Sequence, residues 1–163
     1  QGCLLQNNPV YAGFMDLPQD MAGQCFGHRS RKAARAVTRA FNQRLKPFGL
    51  NINQYVLLGV IARGEHRSVA AMAEEVGVEP SALLRNLRLL EDRGLIAGEG
   101  GRGRAGRRLA VTEAGVALIC ESVPAWRQSQ TDLAALLDGR ADETREALVR
   151  LERAALALEK AER

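Results

Sequence analysis

Two groups of arginines carry most of the chemistry this sequence could perform. Arg85 and Arg88 lie within the run from Pro80 to Arg93, and Arg102, Arg104, Arg107 and Arg108 lie among glycines between Gly98 and Arg108. A guanidinium offers a rigid fork of donors that fits two phosphate oxygens, or the O6 and N7 edge of guanine. Glycine lets a backbone approach a groove closely, and arginine beside it suits phosphates and narrow minor grooves. The chemistry on offer is recognition of double-stranded DNA. The plain alternative is a solvated helix face and a basic loop without a partner.

Other reactive side chains are sparse. Cys3, Cys25 and Cys120 fit neither a zinc ribbon nor a CxxC pair, and three scattered cysteines suit free thiols in a reducing cytoplasm. His28 and His66 form no H-x-x-x-H pair. These counts predict no catalytic residue, no metal and no cofactor. Gly98, Gly100 and Gly103 match G-x-G-x-x-G, but a dinucleotide site needs a helix directly after that motif, and a strand-like run follows here. Cys25 precedes a helix and has Arg29 nearby, surroundings that activate a thiol. Redox sensing through Cys25 therefore stands beside an inert cysteine as an alternative.

The arginines need elements to hold them. Pro80 and Ser81 open a helix that runs to Arg93, with Gly94 as its stop. Leu83, Leu87 and Leu90 fall at helical spacing and form its inner stripe, which leaves Ser81, Ala82, Arg85 and Arg88 on other faces. Before it, Ser68 caps a short helix, Val69 to Val76, and Gly77 breaks it. A short helix, a glycine turn and a longer helix make a helix-turn-helix. Leu95 to Ala97 and Arg107 to Val111 read as two strands joined by the Arg-Gly loop, a β-hairpin wing.

Upstream, Ala33, Ala36, Val37, Ala40, Phe41 and Leu45 recur at three- and four-residue steps in a helix from about Gln24 to Lys46, ended by Pro47 and Gly49. Asn53 is placed to cap the next helix, which ends at Gly64. Downstream, Thr112 caps a long helix to about Leu137 that Pro124 should kink or split. Cys120 on that helix is expected to be buried. A final helix, Ala141 to Glu162, carries Leu148, Leu151, Ala155 and Leu158 along one stripe. Residues 1–23 read as an irregular arm, rather apolar for a free tail.

Bulk properties agree. The 163 residues suit one domain with an extension, and 46% apolar content with only 4% aromatic favours helices. The net charge of +4 is mild, so the placement of the arginines says more than their number. No apolar run reaches the roughly 20 residues of a membrane helix, and no signal-peptide pattern opens the chain. The expectation is a cytoplasmic protein with no membrane partner.

Three stretches together resemble the MarR (multiple antibiotic resistance regulator) family: LKPFGLNINQY ending at Tyr55, SVAAMAEEVGVEPSALLRNLRLLEDRGLI from Ser68 to Ile96, and LAVTEAG ending at Gly115. The resemblance covers residues 24–163. It implies a mainly α fold: a winged helix-turn-helix lobe at 51–111, and a dimerisation region from helices 24–46 and 113–162. It implies a homodimeric regulator of transcription, a ligand-responsive repressor on a pseudo-palindromic operator. Ser68, Ser81, Ala82, Leu84, Arg85, Arg88, Arg102, Arg104 and Arg107 then become the DNA-contacting candidates. Phe41, Phe48, Tyr55 and Trp126 become candidates for lining a pocket for an aromatic or phenolic effector, with ordinary core packing as the alternative for each.

The sequence departs from the family in places. The family's wing-tip Asp-x-Arg falls on Gly103 and Ala105. Usual polar positions are Leu84 and Leu89 here, and Leu84 suits either a thymine methyl or ordinary packing. The two tyrosines that hold the thiol in the family's peroxide sensors fall on Phe41 and Ile52, and Cys25 lies two residues early. A winged-helix module for a protein or RNA partner is the remaining alternative.

Overall fold

The computed structural model describes residues 21–64, 68–99 and 108–162. The chain divides into two units, Gln1–Arg39 and Ala40–Arg163. The described part of the first unit is helical: α1 (Met21–Gln24), then most of α2 (Phe26–Leu45), which ends in the second unit. The turn α1 falls at the end of the stretch that reads as an irregular arm; residues 1–20 lie outside the described residues.

The second unit is built on α3 (Ile52–Arg63), α4 (Val69–Val76) and α5 (Pro80–Asp92), followed by strands β1 (Ile96–Glu99) and β2 (Arg108–Val111). The strands pair antiparallel with Ile96 opposite Val111 and Glu99 opposite Arg108. Leu45, Leu57, Leu58, Leu83 and Leu90 are fully buried at the centre of one core, and Leu109 and Val111 of β2 pack against its edge. Thus α3, α4, α5 and the hairpin bury their apolar sides against one another, as a three-helix lobe with a wing requires.

Caps fix where these helices begin. Lys46–Phe48 forms a 3-10 turn after α2, and Gly49 leaves it with a left-handed φ of 64°. The cap of α3 is Asn51 and not Asn53. The Asn51 side chain accepts the Gln54 amide at 2.9 Å, and the Gln54 side chain accepts the Asn51 amide at 3.1 Å. That reciprocal box satisfies two helix-end donors at once, while Asn53 lies exposed inside the first turn. Ser68 caps α4 as the sequence suggests, accepting the Ala71 amide at 3.1 Å.

Helix α6 (Glu113–Ala135) runs unbroken through Pro124, where a kink or split was expected. Ser122 and Ser129 turn their hydroxyls back onto carbonyls of the preceding turn at 2.7 and 3.0 Å. The buried positions of α6 are Gly115, Ser122 and Ser129, one every seven residues. Cys120 is off that stripe and exposed, against the expectation of burial. Asp138 and Gly139, both at positive φ, turn the chain into α7 (Ala141–Ala161). No residue of α7 is buried, and Leu148 and Leu158 are 57% and 64% exposed.

Candidate nucleic-acid interface

Helix α5 separates its two faces cleanly. Leu83 and Leu90 are wholly buried and Leu87 nearly so. Ser81, Leu84, Arg85 and Arg88 are exposed, Ala82 is half-buried, and the carboxylates Glu91 and Asp92 are confined to the last turn. At 100° per residue, Ser81, Arg85 and Arg88 share the side opposite the leucine stripe, and the exposed Leu84 lies on its flank. The Asn86 amide donates to the Ala82 carbonyl at 3.0 Å and so spends its polarity within the helix.

The turn before α5 is set by Gly77, whose φ of 71° and amide bonds to the Ala73 and Glu74 carbonyls close α4. Pro80 then starts α5 where its missing N–H costs nothing. Ser68 is exposed at the opposite end of α4. Its oxygen is engaged as an acceptor by the cap, which leaves the hydroxyl proton for an outside acceptor such as a phosphate. An Arg63–Glu75 ion pair ties α3 to α4.

Two residues that sequence reasoning did not single out hold the far end of α5. The Arg93 guanidinium donates to the Gly49 carbonyl at 2.6 Å and the Phe48 carbonyl at 3.2 Å, binding the end of α5 to the turn after α2. Gly115 lies against the backbone: a Cβ there would be 2.1 Å from the Leu95 carbonyl oxygen and 2.6 Å from Val111 Cγ1. Thr112 completes the joint by donating to the Gly94 carbonyl at 2.7 Å and accepting the Gly115 amide at 3.1 Å. The signal was present in Asp92-Arg-Gly-Leu95 and in Thr112-Glu-Ala-Gly115, but spacing alone does not say which backbone approaches a glycine.

The wing is described only at its base. Arg102, Arg104 and Arg107 lie outside the described residues, as does His66. The hairpin register nevertheless puts both ends of the 100–107 segment at Glu99 and Arg108, the far end of the ladder from the core.

The four aromatic candidates do not gather into one described cavity. Tyr55 and Trp126 stack with centroids 5.9 Å apart and 25° between planes. Burial pushes the Tyr55 phenol above its ordinary value of 10.0, with the Arg127 charge opposing that shift. Phe48 and Tyr55 both pack on the core, and Phe41 is buried, so packing accounts for much of what these rings do. Cys25 is exposed just before α2, where its Sγ accepts the His28 amide at 3.4 Å. Among the described residues no group of three or more metal-ligating side chains could hold an ion, and no helix is long and apolar enough to cross a membrane.

Comparison with known proteins follows the same lines. A sequence model described as MarR family matches residues 48–108. The crystal structure of the M. tuberculosis transcriptional regulator MosR is 30% identical, with a TM-score of 0.75, over 83% of this chain and 98% of that one. The same regulator in complex with DNA matches at 30% identity and TM-score 0.74, over the same shares. A MarR family protein of M. tuberculosis in complex with p-aminosalicylic acid is 25% identical with a TM-score of 0.59, over 80% of this chain and 98% of that one. No curated protein sequence matches the chain.

Proposed function

We propose that this chain, which belongs to the MarR family of transcriptional regulators, binds operator DNA as a homodimer in the cytoplasm and catalyses no reaction. The observation that carries the reading is α5, which buries Leu83, Leu87 and Leu90 while turning Ser81, Leu84, Arg85 and Arg88 outward. An apolar back with arginines on the front is what a recognition helix in a major groove needs. The likeness to a regulator crystallised with DNA supports it. Arg102, Arg104 and Arg107 of the wing supply phosphate or minor-groove contacts, and Ser68 a phosphate contact.

The homodimer draws support from apolar surface that the single chain leaves open. Leu148 and Leu158 on α7, and separately Val37 on α2, are exposed. Two lobes reading half-sites one helical turn apart must hold their recognition helices about 34–36 Å apart. An aromatic acid that shifts that separation releases the operator. A relative crystallised with p-aminosalicylic acid supports that effector class, and Tyr55 with Trp126 are its candidate wall.

The test is selection of bound duplexes from fragmented genomic DNA, followed by binding with Arg85→Ala/Arg88→Ala. Loss of one base-reading arginine should cost about 1–3 kcal/mol at one operator position. Equal affinity of the double variant and the unaltered protein removes α5 from the reading role. Adding p-aminosalicylate or salicylate to the selected complex tests the effector class, with unchanged affinity as the outcome against it.

A further inference from the structure

We infer that Leu84 reads the C5-methyl of a thymine in each operator half-site. The inference rests on the DNA-binding reading of α5 and adds a base to it. Leu84 is not core: it is 44% exposed, while the helix completes its apolar stripe with Leu83, Leu87 and Leu90. It lies one turn after Ser81 and one turn before Arg88, ahead of the last turn that carries Glu91 and Asp92. Leu89 is also exposed, at 46%, but it belongs to the half that ends in Glu91 and Asp92, away from the end that enters a groove.

Leucine has no donor and no acceptor, so it cannot read a base by hydrogen bonding. Along the major-groove floor only thymine presents an apolar group, the C5-methyl; the other edges present donors and acceptors. Thymine is therefore the one base whose groove edge gains from a leucine, and each remaining base sets unsatisfied polar atoms against it. The geometry also limits where the thymine lies. Leu84 and Arg88 are four residues apart, about 6 Å along the axis. For a helix lying along the groove, that is roughly two base steps of one strand. The half-site thus contains a thymine within about two base pairs of the position contacted by Arg88.

The experiment uses the full chain and a duplex selected by it from a random-sequence pool. Each thymine of that duplex is replaced in turn by uracil, which removes one methyl and keeps every hydrogen-bonding edge. Affinity is measured with the unaltered protein and with Leu84→Ala. The expected result is a loss of about fourfold at one thymine per half-site, near fifteenfold with both replaced, corresponding to two buried methyl groups. With Leu84→Ala the same replacement has no effect. A scan in which no uracil matters, or one whose loss persists in Leu84→Ala, overturns the inference and leaves DNA binding intact. Failure to select any duplex overturns the DNA-binding reading itself, and the inference with it.

Discussion

Replacing Gly115 with alanine should destabilise the winged lobe, although helix propensity alone predicts the reverse. Gly115 is in the first turn of α6, and alanine in place of glycine inside a helix ordinarily gains up to about 1 kcal/mol. Here the added Cβ would meet the Leu95 carbonyl oxygen at 2.1 Å, Val111 Cγ1 at 2.6 Å and the Leu95 carbonyl carbon at 3.1 Å. The closest atom is backbone, so no rotamer relieves the clash, and the start of α6 must retreat from β1. That carbonyl also accepts the Thr112 amide at 3.1 Å, a bond the retreat stretches. Overpacking of this kind costs about 1–3 kcal/mol, and a lost hydrogen bond adds about 1 kcal/mol. The net expectation is a loss of roughly 1–4 kcal/mol, a downward Tm shift of roughly 3–15 °C for a chain of this size. Urea denaturation followed by circular dichroism measures it directly. A midpoint for Gly115→Ala equal to or above that of the unaltered protein would refute the close approach of α6 to Leu95.

Arg93→Ala should cost about 1–2 kcal/mol in the same urea assay, because the carbonyls of Phe48 and Gly49 lose their donor on a partly solvated surface. A Lys in its place reaches one carbonyl at a time and should recover only part of the loss. Asn51→Ala removes the acceptor for the Gln54 amide and should cost about 1 kcal/mol, whereas Asn53→Ala should change stability little. The Tyr55 phenol titrates above 10.0 in the folded chain, so the folded state holds that proton more tightly than the unfolded one. Its contribution is fully present below pH 10 and is lost as pH rises through the higher folded value; Tyr55→Phe should flatten the fall in stability above pH 10, and an unchanged slope counts against burial of the phenol.

The parts of the fold that obey a period were legible in the sequence, and the parts that depend on backbone meeting backbone were not. The stripe Leu83, Leu87, Leu90 repeats at helical spacing, so α5 and its outward arginines could be placed from residue types alone. Ser68 and Thr112 announced their caps because each precedes an apolar helical run. Asn51 and Asn53 both fit that rule, and only the reciprocal bond with Gln54, which needs the extended backbone at Asn51, decides between them. Pro124 shows the opposite failure: the rule against internal proline weighs one lost backbone bond and ignores the packing of α6 on α3, β2 and the turn after α2. Cys120 was misplaced because the buried stripe of α6 consists of glycine and serine, residues that hydropathy does not flag.

The joints around α5 bear on how such a lobe could be regulated. Three sets of bonds fix its C-terminal end: Arg93 to the Phe48 and Gly49 carbonyls, Thr112 to the Gly94 carbonyl, and the Thr112 amide to the Leu95 carbonyl. Tilting α5 within its lobe would break several of them, at about 1 kcal/mol each. That total is as large as the 1–3 kcal/mol typical of the whole coupling between an effector and a DNA site. A movement that carries the lobe as one body breaks none. Such a movement must act through what leaves the lobe, and Arg93 ties α5 directly to the turn that follows α2. Displacement of the end of α2 therefore carries α5 with it and leaves the outward face of α5 unchanged.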